Sequence, residues 1–205
     1  MEEIGLFPLG MVLLPSEQVP LHIFEPRYRE LIGECLENGS EFGLVYADDD
    51  GLREVGTRAA VVEVIERFED GRLNVVVEGR ERFRIVELTS GRSFHTGEVE
   101  PIEDQDDPAD QEDAERALTL FGRLIELTGA EVEAPAPDAP QLSYHVAARF
   151  DFSADIKQEL LQETSERIRL QRLGELLAAA AQTVERQREI SARARSNGKV
   201  QPPSG

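Results

Sequence analysis

The chain contains no tryptophan, a single cysteine and only two lysines among its 205 residues. The lone Cys35 excludes an intramolecular disulfide and a zinc site built on several thiolates. No run approaches the roughly 18 apolar residues that a transmembrane helix needs. The acidic segment that follows Met1 also differs from a secretory signal peptide. These absences predict a cytoplasmic protein. Cys35 lies on the apolar face of its predicted helix, which predicts an inert buried thiol, the alternative being a reactive one.

Positive charge is also scarce, because 22 basic residues stand against 41 acidic ones and give a formal net charge of −19. A field of this sign repels nucleic-acid phosphates and anionic lipid, so the composition disfavours both as partners. Hydrophobic residues nevertheless make up 40% of the chain. This fraction is typical of a globular protein with a buried core.

Sequence signatures of enzymes are scarce as well. The chain has neither a Gly-rich loop ending in Gly-Lys-Ser/Thr nor a Gly-x-Ser-x-Gly elbow. Its acidic run, residues 103–113, lacks the ligand spacing of a calcium loop. We therefore expect no cofactor, no metal and no catalytic residue. One alternative is a Ser–Lys dyad, because Ser153 and Lys157 are four residues apart. Ser153 equally fits a helix N-cap, and Lys157 a surface lysine.

Residues 1–102 have the pattern of a β domain that contains one helix. Short apolar segments alternate with turn residues, and Asp70-Gly71 is a strong hairpin signal. A further turn is predicted at Gly79-Arg80. The change of phase along Arg82–Leu88 predicts a β-bulge, and Pro26 predicts the start of the helix. Together these features predict a curled, barrel-like antiparallel sheet.

Residues 103–188 change to helical periodicity, which predicts a helical subdomain and an α+β fold class. Asp107 is the expected N-cap of its first helix, with Pro108 at the first helical position. A long helix is predicted from about Ser165 to Arg188. Residues 189–205 have almost no apolar anchor and are predicted to form a disordered, locally basic tail.

Three arginines alternate along one predicted strand, at positions 80, 82 and 84. Alternate strand positions share a face, so Arg80, Arg82 and Arg84 can form a row that holds carboxylates or phosphates. The other interpretation is cross-strand pairing with glutamates such as Glu63 or Glu78. A free row, together with the basic tail, would support RNA binding as the alternative function.

Several segments, taken in order, resemble the N-terminal substrate-binding domain of Lon protease, and especially the free-standing bacterial proteins built from that domain alone. The most specific is the run Leu-His-Ile-Phe-Glu-Pro-Arg-Tyr at residues 21–28. The resemblance covers about residues 4–185. It rests on Phe7–Gly10, Leu14-Pro15, Pro20–Leu31, Gly56–Ala59, Asp70–Arg72, Val77–Ile85, Leu142–Ala147 and Lys157–Leu161.

The resemblance implies a PUA-like curled sheet followed by a helical bundle, and a role in recognising protein substrates. It implies unfolded or exposed segments of client proteins as partners, with no cofactor. The module would act beside a separate ATP-dependent protease or as a small chaperone-like adaptor. Neither the P-loop ATPase module nor the protease module of Lon is expected within 205 residues. Ser153 and Lys157 lie in the helical part of the binding domain and therefore do not correspond to Lon's own dyad.

A peptide site is expected on exposed apolar surface around the proline-broken N-terminal strands, or along an unpaired sheet edge. The candidate contact residues are Leu13, Leu14 and Leu21, with Arg82 as a polar contact. For each of them the alternative is simple core packing. Phe24, which lies within the most specific segment, is expected to fill core.

Overall fold

The computed structural model describes the backbone of residues 1–197 and the side chains of residues 1–193. Within these residues it contains seven strands and five helices. None of the described helices is both long and apolar enough to cross a bilayer. The elements are β1 (Glu2–Leu9), β2 (Gln18–Ile23), α1 (Pro26–Asn38), β3 (Phe42–Asp48), β4 (Gly51–Leu52), β5 (Val55–Arg67), β6 (Leu73–Thr89), β7 (His95–Pro101), α2 (Gln111–Thr128), α3 (Leu142–Ala147), α4 (Ala154–Gln162) and α5 (Glu166–Asn197).

The strands form one curled sheet that closes on itself. Its hydrogen-bonded order runs β1-β7-β6-β5-β3, and β3 pairs in turn with β1. The β1–β3 pairing is parallel, and the other pairings are antiparallel. β2 lies outside this ring and pairs antiparallel with β6. The predicted α+β class with a barrel-like sheet is confirmed.

Helix α1 packs on one side of the sheet and completes its core. It begins at Pro26, as predicted, and ends at Gly39, whose left-handed φ of 64° suits a glycine cap. Tyr28, Ile32 and Cys35 are buried against apolar side chains of the strands. Burial raises the pKa of the Cys35 thiol, which disfavours the reactive thiolate. The predicted burial of this thiol is confirmed.

The strand β6 differs from its prediction in one place and agrees in another. The turn predicted at Gly79-Arg80 is wrong, because β6 runs without interruption from Leu73 to Thr89. Gly79 is instead a point of close approach, where a Cβ atom would overlap the backbone carbonyl of Leu14. The predicted bulge is confirmed by the register shift between Ile85 and Glu87 opposite β7.

The first helix of the helical half begins later than predicted. α2 starts at Gln111 with Asp110 at the N-cap position, so the predicted cap at Asp107 and helix start at Pro108 are wrong. The carboxylate of Asp107 instead accepts hydrogen bonds from Ser165 (2.6 Å) and Arg167 (2.9 Å). These partners are distant in sequence, so local spacing does not indicate them.

Helix α5 extends beyond its predicted end at Arg188. It runs from Glu166 to Asn197, so the predicted disorder is wrong for residues 189–197, and residues 198–205 lie outside the described residues. Among the side chains of α5 that the structure describes, which end at residue 193, the last buried one is Ala181. Beyond that point the Ala, Arg, Gln and Glu residues have good helix propensity. Val184 is partly buried against the core, and beyond it these residues sustain the helix.

Candidate functional site

Buried polar contacts join the β barrel to the helices, and Arg82 lies at their centre. Arg82 is 2% exposed; its guanidinium donates to the backbone carbonyls of Leu161 (2.9 Å) and Glu163 (2.8 Å). It also forms an ion pair with Asp104. The expectation that Arg82 is accessible to a peptide is wrong, because its donors are used within the fold.

Arg169 enters the same junction from α5 and is fully buried. It pairs with Asp104 and with Glu166 (2.7 Å), and its guanidinium carbon lies 4.5 Å from the ring centroid of Tyr144. Burial alone would raise the pKa of Asp104. The hydrogen bond from Arg169 and the charges of Arg169 and Arg82 outweigh burial and hold that pKa below its ordinary value. Burial raises the pKa of Tyr144 to about 12.

A second buried ion pair joins Lys157 of α4 to Glu17 in the loop before β2. Glu17 also accepts the backbone N–H of Leu14 at 2.9 Å. Lys157 is therefore not a surface lysine. Ser153 caps α4 and accepts the N–H of Ile156 at 3.5 Å, which confirms the N-cap prediction. The two members of the candidate Ser–Lys dyad thus have different partners.

The three alternating arginines of β6 do not form a free row. Arg80 pairs with Glu78 at 2.7 Å, but Glu78 lies two residues away on the same strand, so the predicted cross-strand character of this pairing is wrong. Arg84 lies 3.7 Å from Glu54, and Arg82 points into the junction with the helices. The RNA-binding alternative thereby loses the cationic row on which it was based.

The apolar candidates near the first prolines are mostly core residues. Leu13 and Leu14 are 1% and 0% exposed, so the expectation that they form an exposed surface is wrong. The chain between β1 and β2 folds inward, and the Thr57 hydroxyl donates to the Leu13 carbonyl at 2.6 Å. Leu21 is half-buried and packs against the core side of β2 and β6.

The outer edge of β2 is poorly suited to accept an added strand. In the described part of the chain, β2 pairs with β6 alone. Pro20 lies in the middle of β2 and has no N–H to donate to a new neighbour. Main-chain pairing along this edge is therefore interrupted.

Next to this edge lies an exposed aromatic surface, made of His22, Phe24 and Phe68. Phe24 is 59% exposed, so its predicted place in the core is wrong. Its ring centroid lies 5.9 Å from that of His22 in a stacked arrangement, and Phe68 meets His22 edge-on at 6.0 Å. The guanidinium of Arg72 lies 4.8 Å from the centre of the Phe68 ring.

The strand period explains why Phe24 is exposed. Side chains along a strand alternate between faces, and this alternation continues one residue past the end of β2, so that His22 and Phe24 are exposed on either side of the buried Ile23. The His22 ring is held by a 2.6 Å contact between its Nδ1 and Oδ1 of Asn74. Alternation around Ile23 was the signal in the sequence that could have identified Phe24 as a surface residue.

Within residues whose side chains are described, no group of three or more His, Cys, Asp or Glu residues is arranged to hold a metal ion. The exposed aromatic surface is therefore the candidate binding site.

Comparison with known proteins gives the family. The model of the ATP-dependent protease La (LON) substrate-binding domain matches residues 3–179. The chain belongs to this family. The resemblance predicted from the motif segments is thereby confirmed for the LON substrate-binding domain.

Curated relatives of this LON domain are longer proteins. The Lon protease of Methylocella silvestris is 27% identical over 198 residues, which are 88% of this chain and 24% of the relative. The Lon protease of Parabacteroides distasonis is 29% identical over 143 residues, which are 65% of this chain and 17% of the relative. The chain thus spans a quarter or less of each of these two proteins.

Solved structures agree with the family. A Lon N-terminal domain protein from Xanthomonas campestris has 28% identity and a TM-score of 0.68, over 84% of this chain and 97% of that one. The N-terminal domain of a Mycobacterium avium complex Lon protease has 20% identity and a TM-score of 0.65, over 86% of this chain and 98% of that domain. The second similarity concerns the fold alone.

Proposed function

We propose that this LON substrate-binding domain binds exposed apolar segments of unfolded client proteins and performs no chemistry of its own. One observation carries the proposal: Phe24, within the segment most specific to the family, exposes 59% of a large aromatic side chain. A complex that fully buries a phenylalanine gains about 1.5–3 kcal/mol from that side chain. The flanking rings of His22 and Phe68 add apolar area at a fixed geometry.

The charge of the chain selects among clients. At a net charge of −19 the domain repels acidic segments and favours neutral or basic ones. An apolar segment bound at one such surface is expected to have micromolar affinity, about −8 kcal/mol. Affinity of this order permits capture and release of clients without an energy source.

In this proposal the captured client is transferred to a separate ATP-dependent protease, or is held as a small chaperone-like adaptor would hold it. The curated relatives support the first possibility, because they are named Lon proteases and contain this domain within a longer chain. We place this activity in the cytoplasm.

The test is a titration of a fluorescently labelled unfolded protein whose cysteines are capped with the uncharged carboxamidomethyl group, followed by anisotropy. Phe24→Ala is expected to weaken binding about tenfold, which corresponds to about 1.4 kcal/mol. Leu88→Ala is the matched control. Leu88 is also a large apolar residue that is 55% exposed, but it lies near the C-terminal end of β6 and is not part of the aromatic surface. Absence of binding to the native chain, or equal losses in both variants, would overturn the proposal.

A further inference from the structure

The three strands β2, β6 and the second half of β5 have one covered face and one open face. Leu21 and Ile23 of β2 point inward and pack in the core with α1. The alternate residues Pro20 and His22 are exposed on the other side, and Val76 of β6 lies opposite Pro20 and is half-buried. Helix α1 therefore covers the inner face of these strands and leaves their outer face open to a partner.

Two β-bulges place further apolar side chains on this outer side. Val61 and Val64 of β5 pack against the core. After each of them the register with β6 shifts, and the extra residues are Val62 and Ile65. Because neighbouring strand residues point to opposite faces, Val62 and Ile65 lie on the outer side, where they are 42% and 55% exposed. The solvent side of an antiparallel sheet is normally polar, so exposed apolar side chains here indicate a contact surface.

The outer sheet face, as we define it, consists of Pro20, Val62, Glu63, Ile65, Glu66 and Val76. Neither edge of these strands favours an added strand. In the described part of the chain, residues 60–67 of β5 pair with β6 alone, and the two bulges interrupt their free edge. The edge of β2 is interrupted by Pro20. A partner is therefore expected to lie on the face, and a helix packs flat on a sheet as α1 does on the inner side.

The charges of the outer sheet face favour a basic partner. Glu63 and Glu66 form no ion pair within the described residues, and Glu66 accepts only the Asn74 amide at 3.2 Å. Arg67, the next residue of β5, is opposite the buried Leu73 and so belongs to the inner side. Three residues along a strand span about 10 Å, and two turns of a helix span about 11 Å. Basic residues seven positions apart on one helix can therefore reach both carboxylates.

We propose that the outer sheet face docks a basic amphipathic helix of a partner protein. The apolar stripe of that helix covers Val62, Ile65 and Val76, and two of its arginines or lysines pair with Glu63 and Glu66. This interaction goes beyond the capture of unfolded clients, because its partner is an already folded element.

The probe is an N-acetylated, C-amidated, alanine-rich peptide of 20 residues, titrated by anisotropy through a terminal dye. It carries leucines along one helix face and, beside them, two arginines seven residues apart. Ile65→Ser is expected to weaken binding about tenfold. Ile190→Ser is the control, because Ile190 is 52% exposed on α5 and lies outside this face.

The charge contribution is tested at constant net charge. The double variant Glu63→Gln, Glu66→Gln is expected to weaken binding about tenfold. The double variant Glu112→Gln, Glu126→Gln removes the same charge from exposed positions of α2 and is expected to change the affinity less than about twofold. Equal losses in the two would mean that the net charge of the chain attracts the peptide, and the proposal would be wrong.

The shape of the partner is tested with the same peptide carrying a central proline, which breaks the helix. It is expected to bind at least about tenfold more weakly, and equal binding would show that the face takes an extended segment instead. A dimer of the native chain in sedimentation that is lost in Ile65→Ser would show that a second copy occupies the face. Either result, or no binding of the helical peptide, would overturn this proposal. The proposed function would still stand or fall on Phe24→Ala and the unfolded protein.

Discussion

Arg82 and Asp104 form a buried ion pair that joins the sheet to the helices. Arg82 comes from β6, and Asp104 comes from the segment between β7 and α2. The second oxygen of Asp104 binds Arg169 of α5, so one carboxylate holds two elements together. This relationship holds the helices against the barrel.

Removing the Arg82 guanidinium is expected to destabilise the fold strongly. Arg82→Met leaves Asp104 with one partner fewer and the carbonyls of Leu161 and Glu163 without this donor. Breaking one side of a buried pair costs about 3–5 kcal/mol. Urea unfolding measures this free energy. Arg84→Met is the control from the same strand, and its long contacts predict a change below about 0.5 kcal/mol. Equal changes would contradict this role of Arg82.

Stability is expected to fall in acid because of Asp104. Burial opposes ionisation, but the Arg169 and Arg82 partners lower the folded-state pKa below the unfolded value of about 3.9. The resulting stabilisation is fully present above about pH 4 and is lost as the pH falls through the folded pKa. Urea unfolding between roughly pH 2.5 and pH 6 tests this. The slope should be shallower in Asp104→Asn, and an unchanged slope would refute the assignment.

Gly79 is expected to tolerate no side chain. In Gly79→Ala the new Cβ meets the Leu14 carbonyl, and the strand or the adjacent loop has to shift. Overpacking of this kind costs about 1–3 kcal/mol. Gly10→Ala is the comparison, because nothing lies within 4 Å of a Cβ built there. Thermal unfolding should separate the two variants clearly, and a Gly79→Ala protein as stable as Gly10→Ala would show that the close approach is wrong.

Ser153 and Lys157 are expected to contribute stability and no hydrolysis. Ser153→Ala removes an N-cap and costs about 1 kcal/mol. Lys157→Met leaves Glu17 buried without its cation and costs more, about 3–5 kcal/mol. Urea unfolding and a fluorogenic peptide assay check both variants. Peptidase activity of the native chain that disappears in Ser153→Ala would restore the dyad hypothesis.

Local sequence patterns were sufficient to predict much of the β domain. The helix start at Pro26 and the bulge near Ile85 depend on residues close together in the chain, and both were predicted. Gly79 was misassigned to a turn because a close backbone approach and a turn favour the same residue type.

The predictions of candidate site residues were less accurate, because whether a side chain is buried or exposed depends on partners that are distant in sequence. The cation of Lys157 meets a carboxylate 140 residues away, and no periodicity indicates such a pair. Leu13 and Leu14 lie in an irregular loop, where apolar character does not reveal which side chain faces inward. The exposure of Phe24 could have been predicted, because the alternation of exposed and buried side chains through His22 and Ile23 continues to Phe24.

The most direct test of apolar capture is the heat-capacity change on binding an unfolded client, measured by titration calorimetry at several temperatures. For a client segment without net charge, burial of the aromatic surface predicts a clearly negative heat-capacity change, reduced in Phe24→Ala, with an affinity that is nearly independent of salt. A heat-capacity change near zero, with an affinity that falls steeply with salt, would contradict the account.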